Sequence, residues 1–213
     1  MHNVIDPLLV VVLLLNFFLL GTSRLHAVIN SSAAQGALLG ALTIFAHEGF
    51  RWPTLLVAAG AIVVKGIFIP GMLMRAMRDA AIRREVQPII GVLPSLLLGA
   101  LGTGAALLFA RTLPLAPEHR GSLLVPAALA TVLTGFIILT TRRKAITQVV
   151  GYLVLENGIF VMGLTLLEAM PLMVEIGVLL DLFVAIFIMG IIINHISREF
   201  SSLDTARLSA LKE

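Results

Sequence analysis

Apolar runs of about twenty residues, the length an α-helix needs to cross the hydrocarbon core of a bilayer, recur seven times along this chain with short polar gaps between them. No other property narrows the fold so far. Backbone N–H and C=O groups in lipid must find partners inside the protein, so runs of this length read as helices. Composition agrees: hydrophobic residues make up 59% of the 213 and charged residues only 13%, against about 25% charged in a soluble domain. The expected fold class is all-α, a polytopic membrane helix bundle of about seven transmembrane helices.

The spans fall at about residues 5–21, 27–46, 54–77, 88–110, 122–141, 146–167 and 172–193. The first lacks the basic flank and small-residue cleavage site of a signal peptide and is expected to be retained. Asn30, Ser31, Ser32 and Gln35 make the second span the most polar. Its small residues Ala33, Gly36, Ala37, Gly40 and Ala41 nevertheless allow close helix approach in lipid, which suits a helix inside the bundle. In the third span Pro70 and Gly71 are expected to interrupt the helix behind Lys65, and Pro88 is expected in the first turn of the fourth. The fourth and fifth carry no charge and read as scaffold. Beyond the seventh, the tail from residue 198 reads as a short amphipathic helix with Ser201 and Asp204 at capping-box spacing.

The net charge of +3 does not point to nucleic acid, because the basic residues lie in the gaps between spans. They instead set a topology. With the N-terminus outside, eleven fall on the cytoplasmic side (Arg24, Arg75, Arg78, Arg83, Arg84, Arg142, Arg143, Lys144, Arg198, Arg207 and Lys212) against Arg51, Arg111 and Arg120 outside. This bias follows the positive-inside rule and places the C-terminus in the cytoplasm. The chain has no cysteine, hence no thiolate for an iron–sulfur cluster and no disulfide. His2, His26, His47 and His119 show no ligand spacing, and no metal site is expected.

Three ionisable residues sit near the middle of their spans: Lys65 in the third, Glu156 in the sixth and Asp181 in the seventh. A charge at bilayer centre costs about 2.5–3.5 kcal/mol on insertion scales, and such residues usually face a protein interior or a water path. Lys65 is too deep to snorkel along its own stem to the interface. Three such groups at one depth suggest a lateral row. Carboxylates there bind a proton more tightly when desolvated and less tightly beside an ammonium, which suits proton movement. Glu175, nearer the outer end of the seventh span, is either an entry group or a solvated end. Asn157 beside Glu156 is a candidate to extend a hydrogen-bonded path. So is His195, fourteen residues after Asp181 and within about 40° of its helical face. Glu168 falls in a loop.

The fifth span, the basic turn and GYLVLENG (151–158) resemble the three-helix K subunit of complex I and the C subunit of Mrp-type antiporters. Those subunits share a basic cytoplasmic turn and two buried acids. The longer chain, with AIVVKGIFIPGML (61–73), RRKAITQVVGYLVLENGIF (142–160) and VEIGVLLDLFVAIFIMG (174–190), is similar to the hydrogenase-4 component E family. The resemblance implies a four-helix region at 1–120, a three-helix K-type region at 121–197 and a cytoplasmic tail at 198–213. It implies a prokaryotic inner-membrane subunit without a catalytic centre, beside antiporter-like subunits and a membrane-arm anchor subunit. Nickel–iron and iron–sulfur centres would sit on partners and no cofactor on this chain. Glu156 stands where the first buried glutamate of the K-type subunit stands. For the second, Asp181 matches in depth and Glu175 in residue type.

The expected function is therefore a non-catalytic membrane subunit moving protons or Na⁺ along Lys65, Asp181 and Glu156, coupled to electron transfer in partner subunits. An Mrp-type antiporter subunit and a purely structural spacer are the alternatives. A retinal Schiff base on Lys65 is disfavoured, since one Tyr and one Trp cannot build the aromatic pocket.

Overall fold

The structure is a computed structural model that describes residues 2–46, 52–79, 89–114 and 121–165. Asp181, Glu175, His195, Glu168, the seventh span and the tail lie outside the described residues. The described chain is helical: α1 (His2–Gly21), α2 (Leu25–Ala46), α3 (Trp52–Val63), a π-helical turn (Val64–Phe68), α4 (Ile69–Asp79), α5 (Val92–Ala110), α6 (Leu124–Thr141) and α7 (Ala145–Leu164). Six spans among the described residues are long and apolar enough to cross a membrane, the third running unbroken from α3 through the π turn into α4.

Pro70 does not interrupt that third span. The irregularity falls one turn earlier, where the Ile69 N–H reaches back five residues to the Val64 carbonyl. In a regular helix the Pro70 ring would collide with the carbonyl four residues before it, that of Gly66. The wider π turn re-aims that carbonyl and lets the helix continue, as a π-bulge does. The fourth span also starts later than the sequence suggests, at Val92 with Pro94 in its first turn. Ile89 lies outside the helix because its N–H bonds the Thr141 carbonyl at 2.7 Å, one of the acceptors that α6 leaves unused at its C-terminus.

Among the described helices, α6 and α7 form the most extensive pairing. Glycine makes it possible: a Cβ at Gly135 would lie 2.5 Å from the Leu155 backbone nitrogen, and one at Gly158 2.6 Å from that of Val132. Approach of this kind is what small residues allow between helices in lipid. At its start, α6 is capped by Asp6, which accepts the Leu123 N–H at 3.1 Å, and by Ser122, which accepts the Leu124 N–H at 3.2 Å. At the other end buried Arg142 donates from Nη2 to the Leu20 carbonyl at 3.1 Å. It thereby fills a free acceptor at the end of α1 and opposes the negative end of that helix. Burial lowers the Arg142 guanidinium from its ordinary value, but arginine remains a cation. The first residue of the basic turn is thus a clasp as well as a topology signal.

The core has a layered form. One apolar cluster, which includes Leu20, Leu25, Ile29, Leu73, Met77, Ile138 and Val150, fills the end that carries the α1–α2 and α6–α7 turns. A second, which includes Ile5, Leu9, Val12, Leu39, Leu42, Leu124 and Val161, fills the opposite end. Between them along α1, α2, α6 and α7 lie the buried polar residues Asn16, Ser31, Ser32, Gln35, Thr131, Thr134, Glu156 and Asn157. α5 packs against α1 and α6. Its Ser95, Gly99 and Ala106 face inward, and Leu93, Leu97, Leu101 and Leu108 face outward.

Candidate functional site

The buried charge pair forms in this polar layer. Lys65 Nζ stands 2.7 Å from Glu156 Oε1, with the lysine side chain 10% exposed and the glutamate 2%. The depth match expected from sequence for these two residues is therefore a direct contact. A buried pair of opposite charges is tolerable where each neutralises the other, whereas either alone would be an uncompensated charge in a low dielectric. The ammonium also lies 5.4 Å from the centroid of the Phe160 ring, one turn beyond Glu156 on α7, close enough for a cation–π attraction. The residue after Lys65, Gly66, packs against Ala37, so the π turn is seated directly on α2.

Beside the ion pair runs a chain of neutral groups. Asn157 Nδ2 donates to Gln35 Oε1 at 3.2 Å, and Gln35 Nε2 donates to Asn16 Oδ1 at 2.8 Å. Asn16 Nδ2 donates to Thr131 Oγ1 at 2.9 Å, and Thr131 donates on to the Ala127 carbonyl at 2.7 Å. All four side chains are buried. The chain crosses from α7 to α2, α1 and α6, with every donor pointing the same way. Buried amides that find partners on this scale avoid the penalty of about 1–3 kcal/mol that each unmade bond would bring.

Of the residues the sequence singles out, Lys65, Glu156 and Asn157 meet in one layer. Asp181, Glu175 and His195 lie outside the described residues. Asn16, Thr131 and Phe160 emerge only from the structure, and Gln35, one of the polar residues of the second span, gains its place in the site from it. Asn16 carried a usable signal: it is the lone polar residue in VVVLLLNFFLL. The rule that isolates intramembrane carboxylates extends to amides in the same position. Among the described residues no three His, Asp or Glu side chains come together as a metal-binding group.

Comparison with known proteins gives two kinds of relative. No protein-family model matches the sequence, and no solved structure matches it. Component E of hydrogenase-4 from Escherichia coli K12 is 28% identical over 160 residues, 74% of this chain and 73% of that protein. The component of the same name from Shigella flexneri matches equally. Uncharacterized protein Rv0085 of Mycobacterium tuberculosis is 34% identical over 195 residues, covering 89% of this chain and 87% of that protein. At that identity and coverage, the chain belongs to the family of the mycobacterial protein Rv0085, with component E of hydrogenase-4 a more distant relative.

Proposed function

We propose that this chain is a non-catalytic integral membrane subunit of a hydrogenase-type, complex I-like oxidoreductase assembly, and that it contributes to proton movement coupled to electron transfer elsewhere in the assembly. The observation that carries the reading is the Lys65–Glu156 ion pair, 2.7 Å long and buried at mid-span, between two apolar clusters that close the layer toward both ends of the bundle. A carboxylate whose ammonium partner can approach or withdraw changes its hold on a proton, and the apolar ends direct any such exchange sideways, toward neighbouring subunits. Asp181, with Glu175 and His195, would continue the row. The similarity to hydrogenase-4 component E supports a prokaryotic inner-membrane location, with the N-terminus outside. It also supports antiporter-like subunits and a membrane-arm anchor as neighbours, and redox centres on partner chains. The regions 1–120 and 121–197 would then be the added four-helix part and the K-type part.

Glu156→Gln tests the reading in sealed vesicles that contain the assembled complex. Redox-driven acidification should be lost while electron transfer and subunit composition stay intact; full pumping by the assembled variant would overturn the relay.

The closed amide chain favours a second reading, a structural spacer whose buried polar groups only fix helix packing. Neutralising both charges, Lys65→Met with Glu156→Gln, separates the two. A relay loses pumping and keeps its assembly, and a spacer loses assembly.

A further inference from the structure

Lys65 and Glu156 touch, yet the backbones of the helices that carry them make few close approaches to one another. Both pack on α2: α7 on one side, and α3, the π turn and α4 on the other. At the level of the ion pair α2 presents the consecutive residues Gln35 and Gly36. A Cβ at Gly36 would lie 2.8 Å from Lys65 Cβ, a separation that packed carbons do not reach, so the lysine stem occupies the space that glycine leaves. Gln35 grips Asn157, the residue next to Glu156, through the 3.2 Å hydrogen bond.

We infer that Gln35 and Gly36 are positioning residues that set the distance between Lys65 and Glu156, one by admitting the lysine stem and the other by fixing the register of α7 beside the glutamate. The inference deepens the relay reading and rests on it for its functional meaning, but its geometry stands alone. Displacement of α2 against α7 or the π turn at the level of Gln35 and Gly36 passes directly to the ion pair. The neutral chain from Asn157 to Thr131 ties that adjustment to α1 and α6 as well. A partner subunit that pressed on α1 or α2 could in this way open or close the pair without touching either charge.

The test reads the state of Glu156 itself in native membranes. A hydrophobic carbodiimide adds covalently to protonated carboxyl groups, and mass spectrometry of the Glu156 peptide reports the extent, with Glu156→Gln as the blank. A buried carboxylate pushed away from its ammonium takes up a proton rather than standing as an unpaired charge. Gly36→Ala should therefore raise labelling by about tenfold or more. Gly40→Ala is the control: its Cβ would meet Ile62 at 2.6 Å on the same seam but away from Lys65, and labelling should stay at the wild-type level. Gln35→Leu, which adds no bulk against Lys65, should raise labelling through α7, and it decides the matter if Gly36→Ala does not accumulate. Unchanged labelling in Gly36→Ala and Gln35→Leu, or an equal rise in Gly40→Ala, would overturn the inference. Raised labelling with undiminished redox-driven pumping would uphold the positioning role and refute the relay.

Discussion

The Lys65–Glu156 pair sets up a double-mutant cycle whose corners differ sharply. At 2.7 Å, two unit charges attract by about 6 kcal/mol at an effective dielectric of about 20. Desolvating both ions offsets much of that attraction. The 5.4 Å approach of Lys65 to Phe160 restores about 1 kcal/mol on the lysine side. The pair is thus worth little compared with two neutral side chains, while each half alone is expensive. Lys65→Met leaves a carboxylate at 2% exposure without its cation, and Glu156→Gln leaves the ammonium with only the ring. Each should destabilise the protein by about 3–5 kcal/mol, whereas the double replacement should fall within about 2 kcal/mol of wild type. Titration with denaturing detergent from mild micelles, followed by circular dichroism, gives the four free energies. The coupling should come out at several kcal/mol and favourable. A double variant destabilised by the sum of the two singles would refute the reasoning, because additive effects are those of residues that do not interact. The same cycle supplies a folded, doubly neutral protein for the assembly and pumping assays.

Other expectations follow from the packing. Gly158→Ala, whose Cβ would meet the Val132 backbone nitrogen at 2.6 Å, should cost about 1–3 kcal/mol as α6 and α7 are forced apart; Gly104→Ala, with open space around it, should be close to neutral in the same titration. Arg142→Ala removes the donor to the Leu20 carbonyl and should cost about 1–3 kcal/mol, while exposed Arg143→Ala should stay within about 0.5 kcal/mol of wild type. Thr131→Val keeps the shape but takes away the acceptor of Asn16, so about 1–3 kcal/mol of stability should go while redox-driven pumping per assembled complex persists.

The sequence showed the helices and two of the charges clearly, for a physical reason: transfer into lipid is a property of composition over about twenty residues, and a lysine or glutamate in such a run is conspicuous. Six of the expected spans lie at the described helices within a few residues. What composition could not supply was the direction of each side chain. Pro70 was an expected breaker, but its effect depends on whether the preceding turn can widen, and Val64–Phe68 does widen. The polar head of α2 makes it the most polar span, yet Ser31, Ser32 and Gln35 are buried and Asn30 alone of the four faces out. Hydropathy penalises such residues individually, whereas for Gln35 hydrogen bonding removes the penalty only when Asn16 and Asn157 arrive from two other helices. Those long-range partners leave no local trace.

The buried layer therefore has two chemically distinct halves. Asn16, Gln35, Asn157 and Thr131 neither gain nor lose a proton near neutral pH, and their bonds all point one way. Such a chain holds four helices in register and resists reversal, which makes it a frame and a poor conductor. Lys65 and Glu156, by contrast, both become neutral with a single proton transfer, and they stand at the Asn157 end of the frame. Asn157 belongs to both halves by sequence, next to Glu156 in the chain, and to the frame by its hydrogen bond. Among the described residues, apolar clusters lie on both sides of the titratable half, so the proposed relay through Glu156 is expected to run within the layer. For that relay the helix faces to probe are those beside Lys65, where the π turn leaves Ile67 and Phe68 exposed.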